Sequence, residues 1–514
     1  MPAPPASGLR FVGGPLPFRP KNPYVPTFLA TSTAAEADRH RLAWAELPAD
    51  LLTPVRAFLA LRSAGHRVCL LESAEGPERL ARFSFLGVDP SARLVADRGR
   101  GRIEAENGEE RELVGSSLEI LRAAAGERPA PRPPRRLPPF CGGWIGSFAY
   151  EWVHELEPRV PARDGPQARQ AAEFHYFPTV IAFDHAGQRM ILIRACPDGA
   201  ESFPAALDDL GRLAAELAGP AGKGGGFRLL EPEPCPSRGR AAFEAGVARL
   251  QEAVREGEIF QAVLAQRHDL RFSGDPFQLY RVLRLTNPSP HMFFFDGGRE
   301  ILIGSSPERL VAVRGGRVQV RPIAGTRARA EDPDEDDRLG AELLGDAKER
   351  AEHDMLVDLA RNDLGRIARI GTVLVREHAR LEKFARVQHL VSRVECELAS
   401  GRDALDALAA CFPAGTVSGA PKVRAMELLA ELEGEARGSY AGAFGYLDGA
   451  GNLDMAIMIR TFAVRDGVAS VGAGAGVVHD SRPEREYRET IEKSAALFEA
   501  ARLAAIPAFQ EAPR

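Results

Sequence analysis

Apolar and polar residues alternate along this chain with two different periods, and the period switches from segment to segment. From residue 51 the run LLTPVRAFLALRSAG places apolar residues at helical spacing, with Thr53 and Pro54 as cap and first-turn residue. A strand, Arg67-Val-Cys-Leu-Leu71, follows directly. Residues 241–256 predict another helix. Short runs with tight turns come next: 291–295, the turn Asp296-Gly-Gly298, 301–304, 310–314, the turn Gly315-Gly316, and 318–321. Gly-Gly pairs between alternating runs mark antiparallel hairpins. A helical block covers 337–368, a second meander runs from Tyr440 through 454–464 to 471–479, and a C-terminal helix starts at Pro483. Two antiparallel sheets with helices kept apart from them predict an α+β fold, without the β-α alternation of a doubly wound one.

Residues 219–226, GPAGKGGG, form the clearest linker, so a boundary is expected between an N-terminal domain of 41–225 and a C-terminal domain of 226–514. Residues 1–40 are rich in Pro, Gly and Ala without periodicity and read as a poorly ordered extension. The Pro/Arg run at 127–139 reads as a solvated connector. A length of 514 residues exceeds one ordinary core, and 45% hydrophobic with 27% charged residues is the composition of a globular protein. Lys+Arg of 66 against Asp+Glu of 71 gives a net charge of -5, which leaves no footprint for nucleic acid or an anionic membrane. The six cysteines (Cys69, Cys141, Cys196, Cys235, Cys396 and Cys411) are scattered singly, which speaks against a zinc site or a disulfide framework. No apolar run approaches the roughly 20 residues of a membrane helix. The N-terminus lacks a secretory signal, so a cytoplasmic protein is expected.

Candidate chemistry sits in two carboxylate clusters. In Lys348-Glu-Arg-Ala-Glu-His-Asp354, Glu349 and Glu352 share a helix face. In Glu486-Tyr-Arg-Glu-Thr-Ile-Glu-Lys493, so do Glu486, Glu489 and Lys493. Two such helices that meet could hold Mg2+, although spacing alone favours solvated faces with intrahelical ion pairs. The acidic stretch 331–337 reads as a solvated loop.

The surrounding segments change that balance. Glu258-Ile-Phe-Gln-Ala-Val-Leu-Ala-Gln-Arg267, Gly304-Ser-Ser-Pro-Glu308, Pro322-Ile-Ala-Gly-Thr-Arg327, Thr416-Val-Ser-Gly-Ala-Pro-Lys422 and Gly472-Ala-Gly-Ala-Gly-Val-Val478 occur in order with both clusters. Together they resemble the chorismate-utilising enzymes, which include anthranilate, aminodeoxychorismate, isochorismate and salicylate synthases. The resemblance spans residues 240–500 and continues more weakly through Leu70-Leu-Glu-Ser73 and Glu78-Arg-Leu-Ala-Arg-Phe-Ser-Phe-Leu-Gly87. It implies two antiparallel β-sheets packed as a sandwich with helices outside. It assigns chorismate binding and catalysis to the C-terminal domain, and the inhibitor site and partner docking to the N-terminal one.

The resemblance also implies residue roles. Glu352 and Glu489 are expected to bind Mg2+, and Lys493 to add positive charge beside it. Tyr440 and Arg460 are expected to hold the carboxylates of chorismate, with the backbone at Gly325, Thr326, Gly474, Ala475 and Gly476. Glu308 occupies the position of the general acid, and His389 that of the histidine tied to pyruvate loss. Thr416 lies in the matching active-site segment without an assigned proton. The glycine run is G-x-G-x-G inside a strand, which does not fit a dinucleotide fingerprint.

Two positions discriminate within the family. Gln261 stands where the water-using relatives carry a lysine base, and an amide cannot act as one. Ala324 stands where many aminodeoxychorismate synthases carry a covalent lysine. The expected reaction is therefore amination of chorismate at carbon 2 by ammonia, giving anthranilate and pyruvate at the start of tryptophan biosynthesis. An aminodeoxychorismate synthase, or a non-catalytic tryptophan-binding or partner-docking relative, is the alternative. No cysteine lies in a Gly-x-Cys-x-Gly elbow, so glutamine use needs a separate glutaminase subunit, anthranilate synthase component II. Ser73, Pro290, His291 and Met292 match a pocket for L-tryptophan as inhibitor. His291 replaces the usual tyrosine, which is expected to weaken feedback. Phe148 and Glu151 replace the usual Tyr and Asp, with little effect expected.

Overall fold

The computed structural model describes residues 28–31, 41–74, 82–128, 137–163, 165, 170–196, 202–220, 222, 224–384 and 387–510. Most of the expected extension at 1–40, the centre of the Pro/Arg run and residues 78–81 of the upstream motif lie outside the described residues. Phe28–Thr31, within the span read as extension, forms a strand against Arg41–Pro48.

Local sequence accounts for the elements that were legible. Thr53 Oγ1 accepts a hydrogen bond from the Arg56 N–H at 3.2 Å and so caps the helix Pro54–Ser63. Ala57, Phe58 and Leu61 on its inner face are buried. Gly315 and Gly316, at φ of 57° and 78°, close the hairpin between Arg309–Arg314 and Arg317–Val320.

Among the described residues these elements build two antiparallel sheets, of 14 and 12 strands. Each takes strands from both sides of residues 219–226. In the first, Val68–Glu72 lies beside His291–Asp296, with Met292 opposite Glu72. In the second, Gly143–Phe148 pairs with Ala443–Asp448. The inner faces meet in an aromatic layer, where Phe293 of the first sheet stacks on Phe444 of the second with ring centroids 4.0 Å apart. Helices Pro54–Ser63, Phe277–Thr286 and Pro483–Ala504 bury their apolar sides on the outer face of the first sheet. Ser117–Glu127, Ala347–Gly365 and Ala404–Cys411 do so on the second. Each fully buried Leu, Phe or Val side chain contributes about 1.5–3 kcal/mol, so this α+β sandwich is held mainly by its three apolar layers.

Three segments differ from expectation. The helical block is two helices, Pro333–Gly345 and Ala347–Gly365, interrupted at Asp346, whose carboxylate accepts from the N–H groups of Lys348 and Glu349. The acidic stretch is no solvated loop. Asp332 caps the first of these helices, and Asp336 is buried, accepting from Arg329 Nε at 2.8 Å and Lys383 Nζ at 2.7 Å. Both cations lie outside the stretch, so its composition alone concealed them.

The span 454–464 is two strands in different sheets. Leu453–Ile457 belongs to the second and Thr461–Arg465 to the first, and Arg460 sits at the crossover with φ of 50°. The chain makes the reverse passage between Ile301–Ser306 and Arg309–Arg314, where Glu308 lies. The two crossovers are tied together: Ser305 N–H donates to Arg460 O and Ile457 N–H to Glu308 O, each at 3.0 Å.

Candidate active site

Those tied crossovers bring a carboxyl and a guanidinium to one end of the sandwich. Thr416, on the single helical turn Gly415–Val417, donates its hydroxyl to Glu308 Oε1 at 3.1 Å. Burial pushes the Glu308 carboxyl up to about 7, against the lowering influence of Thr416 and of the Lys493 charge. A carboxyl that is still substantially protonated at neutral pH can serve as a general acid.

Lys493, on the helix Pro483–Ala504, donates to Gly474 O at 2.9 Å and pairs with Glu489 at 2.7 Å. Gly474, Ala475 and Gly476 lie in the strand Val468–Val477, opposite Ala265, Leu264 and Val263 of the long strand Gln261–Gly274. A Cβ on Gly474 would stand 2.7 Å from the Tyr440 hydroxyl, and one on Gly476 would stand 2.9 Å from Gln261 Nε2. The glycines thus let Tyr440 and Gln261 close on the bare strand. Glu489 also raises the Tyr440 phenol, whose main shift upward, to about 12, comes from burial.

The two carboxylate helices act on one another through charge, and their side chains divide. Arg327 takes Glu349 Oε1 at 3.0 Å and Asp346 Oδ2 at 2.9 Å. Glu352 is left with Lys348 at 3.8 Å. Burial raises the Glu352 carboxyl, and the charges of other carboxylates, Glu489 of the helix Pro483–Ala504 among them, add to the rise. Burial and Glu489 likewise raise Glu486. Negative charge gathered from two helices is what a divalent cation would relieve. Among the described residues no three His, Cys, Asp or Glu side chains form a metal cage. Mg2+ needs only one or two carboxylates when water and substrate oxygens complete its shell, so the donor set fits it.

The second group of expected substrate ligands centres on His389. It lies opposite Thr326 in the pairing of Val387–Glu397 with Ile323–Ala328. Its Nδ1 donates to Gly325 O at 3.0 Å and lies 3.1 Å from Thr326 Oγ1, so the proton is on Nδ1 and Nε2 keeps a lone pair. Burial lowers its pKa, and the Arg460 charge lowers it further. Burial also lowers the Arg460 guanidinium, and among the described residues no carboxylate pairs with it. A half-buried cation without a counter-ion is suited to an anionic ligand.

Ser73, Pro290, His291 and Met292 gather elsewhere, around one pocket of about 400 Å3 between the sheets, also lined by Arg309, Tyr446 and Asp454. Ser73 Oγ is buried there with no partner among the described residues. Burial pushes His291 down to about 4, which keeps it neutral at physiological pH.

Sequence reasoning missed the ion pair of Glu433 and Arg437, which lies beneath Tyr440. Its signal was an ordinary i, i+4 Glu/Arg spacing, which surface helices show everywhere.

The model of the chorismate binding enzyme family matches residues 66–499. Anthranilate synthase component 1 of Aquifex aeolicus is 42% identical over 90% of this chain and 94% of that protein. The component 1 of Thermus thermophilus is 43% identical over 89% and 96%. The crystal structure of anthranilate synthase component I from Streptococcus pneumoniae superposes with a TM-score of 0.73 at 38% identity, covering 81% of this chain and 92% of that one. The menaquinone-specific isochorismate synthase of Escherichia coli shares the fold alone, with a TM-score of 0.68 at 19% identity over 90% and 94%. With the family model spanning both sheets and component 1 relatives matched nearly end to end, this chain belongs to the chorismate binding enzymes, on their anthranilate synthase component 1 branch.

Proposed function

We propose that this chain is the aminating component of an anthranilate synthase, converting chorismate and ammonia to anthranilate and pyruvate. As a family member it is an enzyme, and the reaction is that of a lyase. The observation that carries this reading is the Glu308 carboxyl, kept protonated near neutrality by burial and held by Thr416. Arg460 and the N–H groups around Gly325, Thr326 and Gly474–Gly476 gather the carboxylates of the dianion. Glu352 and Glu489 would hold Mg2+, which supplies charge neutralisation at the ring carboxylate. Glu308 gives its proton to the carbon-4 hydroxyl, which leaves as water while ammonia adds at carbon 2. Neutral His389 is suited to accept the ring proton as pyruvate leaves. Gln261 cannot activate water, and Ala324 offers no covalent nucleophile, which supports direct amination at carbon 2.

The same reading assigns L-tryptophan to the pocket at Ser73 and His291, as an inhibitor, and a glutaminase component as partner. The purified chain, chorismate, Mg2+ and ammonium should give fluorescent anthranilate with equal pyruvate. Accumulation of 4-amino-4-deoxychorismate would instead place the chain among the para-aminating synthases.

A further inference from the structure

Arg437 lies outside every expected site, yet it touches three parts of this one. Its side chain is 4% exposed and its charge is answered by Glu433, itself 7% exposed. Nε donates to Glu433 Oε2 at 2.8 Å and Nη2 to Glu433 Oε1 at 2.6 Å, a bidentate pair that fixes the guanidinium plane. The remaining donors reach two other segments: Nη1 donates to Val417 O at 2.7 Å, and Nη2 to Val263 O at 2.8 Å. The flat face lies 4.6 Å from the Tyr150 ring and 5.6 Å from the Tyr440 ring. The frame around it is equally tied. Glu433 Oε1 accepts from Ala265 N–H at 2.9 Å, and Glu151 Oε1 accepts from Arg437 N–H at 2.8 Å.

Val417 follows Thr416 directly, and Thr416 holds the Glu308 carboxyl. Val263 lies opposite Gly476 in the strand pairing. A solvated helix-end ion pair would have no reason to bury four donations on three segments, because desolvating two charges costs more than a surface pair returns. We propose that Arg437 is a positioning residue for the reaction: its guanidinium fixes the Gly415–Val417 turn, and through it the Thr416 hydroxyl, against the acid Glu308. The inference rests on Glu308 acting as the acid.

Lysine keeps the charge for Glu433 but not the planar fork, so it cannot bond Glu433 bidentately and still reach Val417 O and Val263 O. In Arg437→Lys, kcat should fall on the order of a hundredfold through misplacement of the acid, with KM for chorismate nearly unchanged. KM is spared because the ten-residue pairing of the long strand with the glycine strand persists without Arg437. Losing the Thr416 hydrogen bond also removes an influence that lowers the Glu308 pKa. The alkaline limb of the kcat–pH profile should therefore move upward, by the same amount in Arg437→Lys as in Thr416→Val. A merely structural arginine would lower the folded fraction without moving that limb. Wild-type kcat, or a fall in activity with an unmoved limb, overturns the proposal. If Arg437→Lys does not fold, Glu433→Gln, which keeps the acceptor and loosens the fork, should move the limb in the same direction, and an unmoved limb there overturns it equally. Should Glu308→Gln keep both the rate and the limb, the assignment of the acid fails instead, and the two failures are distinct.

Discussion

A carboxyl in water is almost fully ionised at neutral pH, and Glu308 is not in water. Its elevated pKa makes the sign of the pH effect definite. The acid works protonated, so kcat/KM, expressed per unprotonated ammonia, should be level at low pH and fall tenfold per unit above about 7. Glu308→Gln should lose on the order of a hundred- to ten-thousandfold in rate. The same group also bears on stability. A carboxyl whose folded pKa is raised lends relative stability below its unfolded pKa and loses it as pH rises through the folded one. The Glu308→Gln variant should therefore gain in Tm over wild type at pH 8 and not at pH 4, a gain bought with function. The motif Gly304–Glu308 made Glu308 a candidate acid, whereas its raised pKa was not legible, since that depends on burial and on Thr416, 108 residues away. The tryptophan assignment is tested one residue at a time as well. Ser73→Phe replaces a buried, unpartnered hydroxyl with a ring that fills the pocket, and should relieve inhibition by millimolar tryptophan while leaving turnover intact. Inhibition undiminished in that variant would remove the pocket from feedback.

Elements were read best where their signal is local. Glycine turns and alternating strands gave the hairpins at 291–321, and the Thr53 cap with Pro54 gave the start of the helix Pro54–Ser63. The crossovers were not readable, because a chain that changes sheets keeps its apolar alternation. Residues 454–464 therefore looked like one strand although Arg460 breaks it. Pairing between helices is also non-local. Spacing put Glu349 and Glu352 on one face, but only the fold assigns Glu349 to Arg327 and leaves Glu352 near Glu489. That division carries the metal prediction. Chelation should abolish turnover, and Glu352→Gln or Glu489→Gln should each cost roughly a thousandfold, as expected when several kcal/mol of charge stabilisation is lost. Near-wild-type turnover of either variant at saturating Mg2+ would take that residue out of the metal site.

Among the described residues the molecule is two sheets that each gather strands from distant parts of the chain, with the proposed acid and Arg460 at their crossovers and the tryptophan candidate pocket between them. Among the described residues no helix is long and apolar enough to cross a membrane, and the six cysteines are free, five of them buried. None of those thiols lies in a nucleophile elbow, so the purified chain should turn over chorismate with ammonium and not with glutamine. Adding the glutaminase component should confer glutamine use. Efficient glutamine use by the chain alone would contradict the division of labour.

The strand His291–Asp296 lines the pocket and pairs with the strand that leads to Glu308. His291 lines the pocket and lies opposite Ser306, whose hydroxyl oxygen accepts from the Glu308 N–H at 3.4 Å. Arg309, the residue after Glu308, lines the same pocket and is locked to Asp454 at 2.8 Å. An occupant that displaces His291 or Arg309 is therefore expected to shift the segment that carries Glu308. Linkage makes such a coupling symmetric in binding free energy. Tryptophan should weaken chorismate binding by some factor, and chorismate should weaken tryptophan binding by that same factor. Paired titrations on the Glu308→Gln variant, which binds chorismate with little turnover, would measure both sides of that equality.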